Sequence, residues 1–148
     1  MSNLTPCWGP TLSNKALRIL IADEQHFQRM RIERLFNQLN YYRIAPVHNL
    51  EELLTLVEYG CEPFDLVVIN ASLAHGALNL LDFFRDNPQV RHAFIYDGQH
   101  AQLPLIPARD QQKIQVSLAV LPDLPSIQRC MAFVDPRLPS VGTVISVR

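Results

Sequence analysis

Leu66-Val67-Val68-Ile69-Asn70 is an unbroken apolar run closed by one polar residue. A strand apolar on both faces is buried on both faces, as in a parallel sheet covered by helices. A second such run, Leu17-Arg18-Ile19-Leu20-Ile21-Ala22, ends in the acidic pair Asp23-Glu24. In a parallel sheet the two strand ends can lie side by side. Two carboxylates would then face an asparagine across one crevice.

Outward from these strands the chain alternates strand and helix. After Asp23-Glu24, Ile32, Leu35, Phe36 and Leu39 recur at i, i+3, i+4 and i+7, the stripe of an amphipathic helix. A short strand over 43–47 follows, then Asn49 with Glu52 three residues on, a capping-box pattern. Leu50, Leu53, Leu54 and Val57 form the stripe of that second helix, and Gly60 is placed to end it. Beyond Asn70, Ala77, Leu80, Leu81 and Phe84 share one helical face, stopped before Pro88. Residues 93–96 read as a fourth strand and 116–121 as a fifth. Ile127, Cys130, Met131 and Val134 mark a last helix. Between Gly98 and Gln115, Pro104 and Pro107 forbid a regular helix, so the fourth helix is expected to be shortened or missing. Five apolar strands separated by helices predict an α/β, flavodoxin-like, doubly wound five-stranded parallel sheet in the order 2-1-3-4-5. The expected organisation is an N-terminal arm over 1–15, one domain over 16–135 and a tail over 136–148. In that tail Val141-Gly142-Thr143-Val144-Ile145-Ser146-Val147 reads as a β-type segment that adds to a sheet edge or a dimer.

Composition bounds the function classes. The chain has 148 residues, 48% hydrophobic and 18% charged, which suits one domain with a good core rather than a disordered segment. A net charge of −1 gives no electrostatic footprint for nucleic acid. Arg29, Arg31 and Arg34 read as a solvated helix face. No signal-like or membrane-spanning stretch is evident, so a cytoplasmic location without membrane attachment is expected. Cys7, Cys61 and Cys130 lack metal-ligand spacing and read as free thiols, and the five histidines are scattered. The five glycines form neither GxGxxG nor a P-loop, and no nucleophile elbow is present, so nothing proposes an enzyme.

The run Ile19-Leu20-Ile21-Ala22-Asp23-Glu24, the pattern from Val47 to Leu54 and the run from Phe64 to Asn70 together resemble the receiver domain of two-component response regulators. The resemblance covers residues 16–135. It implies an acidic pair that holds Mg²⁺ and an aspartate at the end of the third strand that takes the phosphoryl group. Here that position is Asn70, whose carboxamide cannot act as the nucleophile. The family also carries Ser or Thr at the end of the fourth strand, where this chain has Tyr96 or Asp97. It carries a Lys before a proline at the end of the fifth, where Leu121 precedes Pro122. The resemblance therefore implies a degenerate phosphorylation pocket of Asp23, Glu24, Asn70, Tyr96, Asp97 and Leu121, with weak Mg²⁺ binding at Asp23 and Glu24.

Each residue also has a plainer reading. Asn70 would cap a strand end by bonding loop backbone, and Asp23 and Glu24 would be the N-cap and first-turn acid of the next helix. The expected function is a non-phosphorylatable signalling module, a pseudo-receiver acting through a protein partner, with a homodimer as a further expectation. The alternative is a small-molecule sensor using the crevice at the C-terminal ends of the strands. An apolar pocket lined by Leu121 and Tyr96 would favour the sensor. A filled crevice with exposed apolar surface would favour protein binding.

Overall fold

The computed structural model describes residues 16–74, 77–97, 105–117 and 121–135. The arm and the tail, with the β-type segment expected in it, lie outside the described residues. Five strands, β1 (Ile19–Ala22), β2 (Ile44–Val47), β3 (Leu66–Asn70), β4 (Ala93–Tyr96) and β5 (Ile114–Val116), form one sheet. Every pairing is parallel and the order is β2-β1-β3-β4-β5, the flavodoxin-like arrangement.

Four helices cover the sheet: α1 (His26–Gln38), α2 (Leu50–Tyr59), α3 (Leu80–Arg85) and α4 (Leu124–Val134). The two-residue period of a strand divides the core into two layers. Leu20, Val67, Ile69 and Ile95 face Leu53 and Val57 of α2 and Leu80 and Phe84 of α3. Ile19, Ile21, Leu66, Val68, Phe94 and Tyr96 face Ile32 and Phe36 of α1 and Ile127, Cys130 and Met131 of α4. Burial pushes the Cys130 thiol up to about 12, as an apolar setting disfavours the thiolate.

Local signals account for most boundaries. Glu52 N–H donates to Asn49 Oδ1 at 2.7 Å and His48 N–H to Glu52 Oε1 at 3.1 Å, so both halves of the expected cap form. α4 opens on a capping box in which Ser126 N–H donates to Asp123 Oδ1 at 2.9 Å and Asp123 N–H to Ser126 Oγ at 3.0 Å. Those bonds hold the Asp123 carboxyl below its usual range. α1 ends at Asn40, which adopts φ 72°, and Tyr41 is buried with its hydroxyl donating to Asp135 Oδ2 at 2.7 Å. Gly60 ends α2 by a different route from the one expected. Its φ is −69°, and glycine is required because a Cβ would lie 2.7 Å from Leu56 O.

The fourth crossover departs from helix as Pro104 and Pro107 require: only a 3₁₀ turn, Ala108–Asp110, remains in the described part. The fifth strand is displaced from its expected place over 116–121. It begins at Ile114, because Ala93 N–H donates to Lys113 O at 2.9 Å and Ile114 fills the core at no exposure.

Candidate functional site

The C-terminal rim of the three inner strands gathers three polar side chains by periodicity alone. Asp23 follows Ile19 and Ile21 in parity, Asn70 follows Leu66 and Val68, and Tyr96 follows Phe94. All three therefore project to the α1/α4 side. The registers Ala22↔Ile69 and Asn70↔Tyr96 set them at one height. Asp23, Asn70 and Tyr96 are 1%, 6% and 0% exposed, so their polar atoms must be satisfied within the protein.

Asn70 Nδ2 donates to Asp23 Oδ2 at 3.1 Å, and the Tyr96 hydroxyl donates to the same oxygen at 2.5 Å. Gln25 N–H donates to Asp23 Oδ1 at 2.8 Å. Asn70 Oδ1 accepts from Ser72 N–H at 3.1 Å and Ser72 Oγ at 2.9 Å. The amide orientation follows from its neighbours: a carboxylate only accepts, and Ser72 supplies donors to the other end. Burial, then the bond and charge of Asp23, raise the Tyr96 phenol well above its ordinary range, so it remains a neutral donor.

Arg29 completes the rim. Its Nη1 donates to Asp23 O at 2.6 Å and Glu24 O at 3.3 Å, tying the first turn of α1 back to the end of β1. The sequence reading had placed Arg29 with Arg31 and Arg34 on a solvated face. The legible signal was its place one turn into the helix that follows Asp23. Ser72 was also missed, although an Asn followed two residues on by Ser is a common local turn pattern.

The remaining expected members separate from the network. Glu24 is exposed, beside its buried neighbour Asp23. Tyr96 closes β4 opposite Asn70, and Asp97 lies buried just beyond the strand. Leu121 does not end the fifth strand, because β5 stops at Val116. It packs half-buried against the α1/α4 layer instead.

The donor set does not fit the divalent cation that the resemblance implies. A cation at Asp23 Oδ2 needs bare oxygen ligands. That oxygen instead meets Asn70 Nδ2 and the Tyr96 hydroxyl, both hydrogen donors. Among the described residues, no group of three or more His, Cys, Asp or Glu could hold a metal ion. The weak Mg²⁺ site expected at Asp23 and Glu24 is thus replaced by a hydrogen-bonded carboxylate.

The fold has a counterpart among solved structures. The chain is similar to a crystal structure titled "Putative pilus assembly-related protein" from Burkholderia pseudomallei K96243, with a TM-score of 0.54 over 94% of this chain and 98% of that one. Identity is 14%, so the likeness is one of fold. No protein-family model and no curated protein matches the chain. Among the described residues no helix is long and apolar enough to cross a membrane.

Proposed function

We propose that this chain is a non-phosphorylatable, receiver-like signalling module of a two-component-type pathway, acting in the cytoplasm through a protein partner and without enzymatic activity. The observation that carries the reading is the bond from Asn70 Nδ2 to Asp23 Oδ2. At the position where a receiver presents its nucleophile, the side chain here donates a proton and has no free electron pair for attack on phosphorus. At the C-terminal ends of β1, β3 and β4 the polar side chains of Asp23, Asn70 and Tyr96 are buried and bonded to one another, which supports protein binding over small-molecule sensing.

The direct test is incubation with acetyl phosphate and Mg²⁺, followed by intact mass measurement, alongside a receiver that carries the aspartate. The mass is expected to stay unchanged. A phosphoaspartyl adduct mapped to the rim of β1, β3 and β4 would overturn the reading.

A further inference from the structure

The two helices joined through β2 each carry a second stripe that the core does not use. On α1, Ile32 and Phe36 are buried, while Phe27, Met30, Arg31 and Arg34 recur at i, i+3, i+4 and i+7 on the exposed side. On α2, Leu53 and Val57 are buried, while Glu51, Thr55, Glu58 and Tyr59 recur at i, i+4, i+7 and i+8 on the exposed side. Each stripe holds one large aromatic in solvent, Phe27 at 69% exposure and Tyr59 at 77%. Each also holds charge of a single sign.

Those charges are not neutralised within the chain. Arg18, Arg29, Arg43, Arg85 and Arg91 each meet an oxygen of the fold. Among the described residues Arg31 and Arg34 meet none, and Glu51 and Glu58 meet no base. No acid stands three or four residues from either arginine, and no Lys or Arg stands so from either glutamate. Arg31 and Arg34, three apart, repel one another instead.

We infer that α1 of one copy packs antiparallel on α2 of the next. The spacings match: Phe27 to Arg34 spans about 10 Å of helix and Glu51 to Tyr59 about 12 Å. This alignment lays Phe27 on Tyr59 as an aromatic pair and sets Arg34 beside Glu51. It brings Arg31 to a groove of about 370 Å³ between α2 and β2, lined by Pro46, Val47 and Leu56 together with Glu51 and Glu52. An arginine suits that groove, since its stem covers carbon surface while its head reaches the carboxylates.

The occupant is a second copy because the two faces complement one another and cannot meet in one molecule. α1 covers one side of the sheet and α2 the other. The contact is heterologous: each bound copy still offers one free α1 face or one free α2 face, so association continues into a row or closes into a ring. Two helix faces bury little area, which makes the contact weak and sensitive to salt. The proposal is independent of how the rim at Asp23 is read.

Sedimentation of the full chain tests it. At low salt the average mass is expected to climb past twice the chain mass as concentration rises, and to fall when salt is added. Arg34→Glu and Glu51→Lys each set like charges together, and each is expected to weaken association by roughly tenfold. An equal mixture of the two should restore it, and so should both changes in one chain, since every reversed charge then faces its opposite. Both side chains are exposed, so the fold should survive either substitution, as a cooperative melt would confirm. A wild type that stays monomeric to millimolar concentration overturns the proposal. So does an assembly that only one of the two reversals weakens, because α1 would then be meeting α1, or α2 meeting α2.

Discussion

The C-terminal rim of the inner strands and the outer edge of β5 treat their polar groups in opposite ways. At the rim, Asp23, Asn70, Tyr96 and Ser72 bond one another, and Asp23 Oδ2 alone takes two side-chain donors. At the edge, the backbone of Ile114 and Val116 points outward while the β4-facing bonds run through Lys113 and Ser117. A buried polar cluster persists only when each member has a partner, and here the two donors on Asp23 Oδ2 occupy the oxygen that would face a cation. At β5 the outward groups of Ile114 and Val116 take no hydrogen bond among the described residues, and Ile114 is itself fully covered. Polar groups are thus tied to one another at the rim, where the sequence resembles a receiver, and not along the β5 edge.

The most forceful way to break this contrast is Asn70→Asp. It removes the Nδ2 donor and sets a second carboxylate against the buried Asp23, at an expected cost of roughly 2–4 kcal/mol at neutral pH. Two carboxylates so close share a proton, which raises the apparent pKa of the pair above that in the unfolded chain. The variant's deficit should therefore shrink as pH falls and grow as pH rises through the carboxylate range. Mg²⁺ should offset the deficit in Asn70→Asp and leave the wild type nearly unaffected. Urea unfolding with and without Mg²⁺, from about pH 4 to 8, reads both effects. Equal stability of the two proteins across that range would mean that Asn70 and Asp23 are not in contact.

Tyr96→Phe is a milder cut at the same network. Loss of the hydroxyl leaves Asp23 with Asn70 and Gln25, at an expected cost of about 1–3 kcal/mol. Because the folded state holds the Tyr96 proton more tightly than the unfolded state, its contribution is complete below about pH 10, the unfolded tyrosine value, and declines above it. Cys130 adds a decline of the same sign in both proteins. The difference between wild type and Tyr96→Phe in denaturant titrations from about pH 8 to 11 thus isolates Tyr96. Parallel curves would show that the hydroxyl does not reach Asp23.

The smallest expected effect sharpens the other side of the contrast. Pro46→Val gives β2 an outward N–H and makes that edge resemble β5. Stability should fall by only about 0.4–1 kcal/mol, through the freer unfolded chain. Light scattering should nevertheless report more association than the wild type shows, since the β2 edge then carries a free outward donor. A variant no more associated than the wild type would show that Pro46 does not guard the edge.

How far residues were legible from sequence depended on whether their role was local. Asn49 and Glu52 carry their cap in a four-residue pattern, and the stripe Ile127, Cys130, Met131 and Val134 is buried as its spacing requires. Pro104 and Pro107 announced the loss of the fourth helix by their own covalent geometry. Where that crossover rejoined the sheet was not announced, because the start of β5 depends on Ala93 meeting Lys113 across the gap between strands. Leu121 was misplaced for the same reason. Arg29 shares charge and helix with Arg31 and Arg34, and only the return of the chain at Asp23 distinguishes it.

By itself the sequence determined the layered α/β fold, since apolar runs and amphipathic stripes state directly which surfaces must leave water. It also determined that Asn70 cannot be a nucleophile, which is a property of the carboxamide wherever it sits. Tertiary structure alone decided that Asp23 turns inward to Asn70 and Tyr96 while Glu24, its neighbour in the chain, faces solvent. It alone decided that β2 keeps no outward backbone donor, with Ile44 N–H bonded to Tyr42 O and His48 N–H to Glu52 Oε1. Those outcomes depend on which atoms from distant segments come within hydrogen-bond reach, and no spacing along the chain encodes that distance.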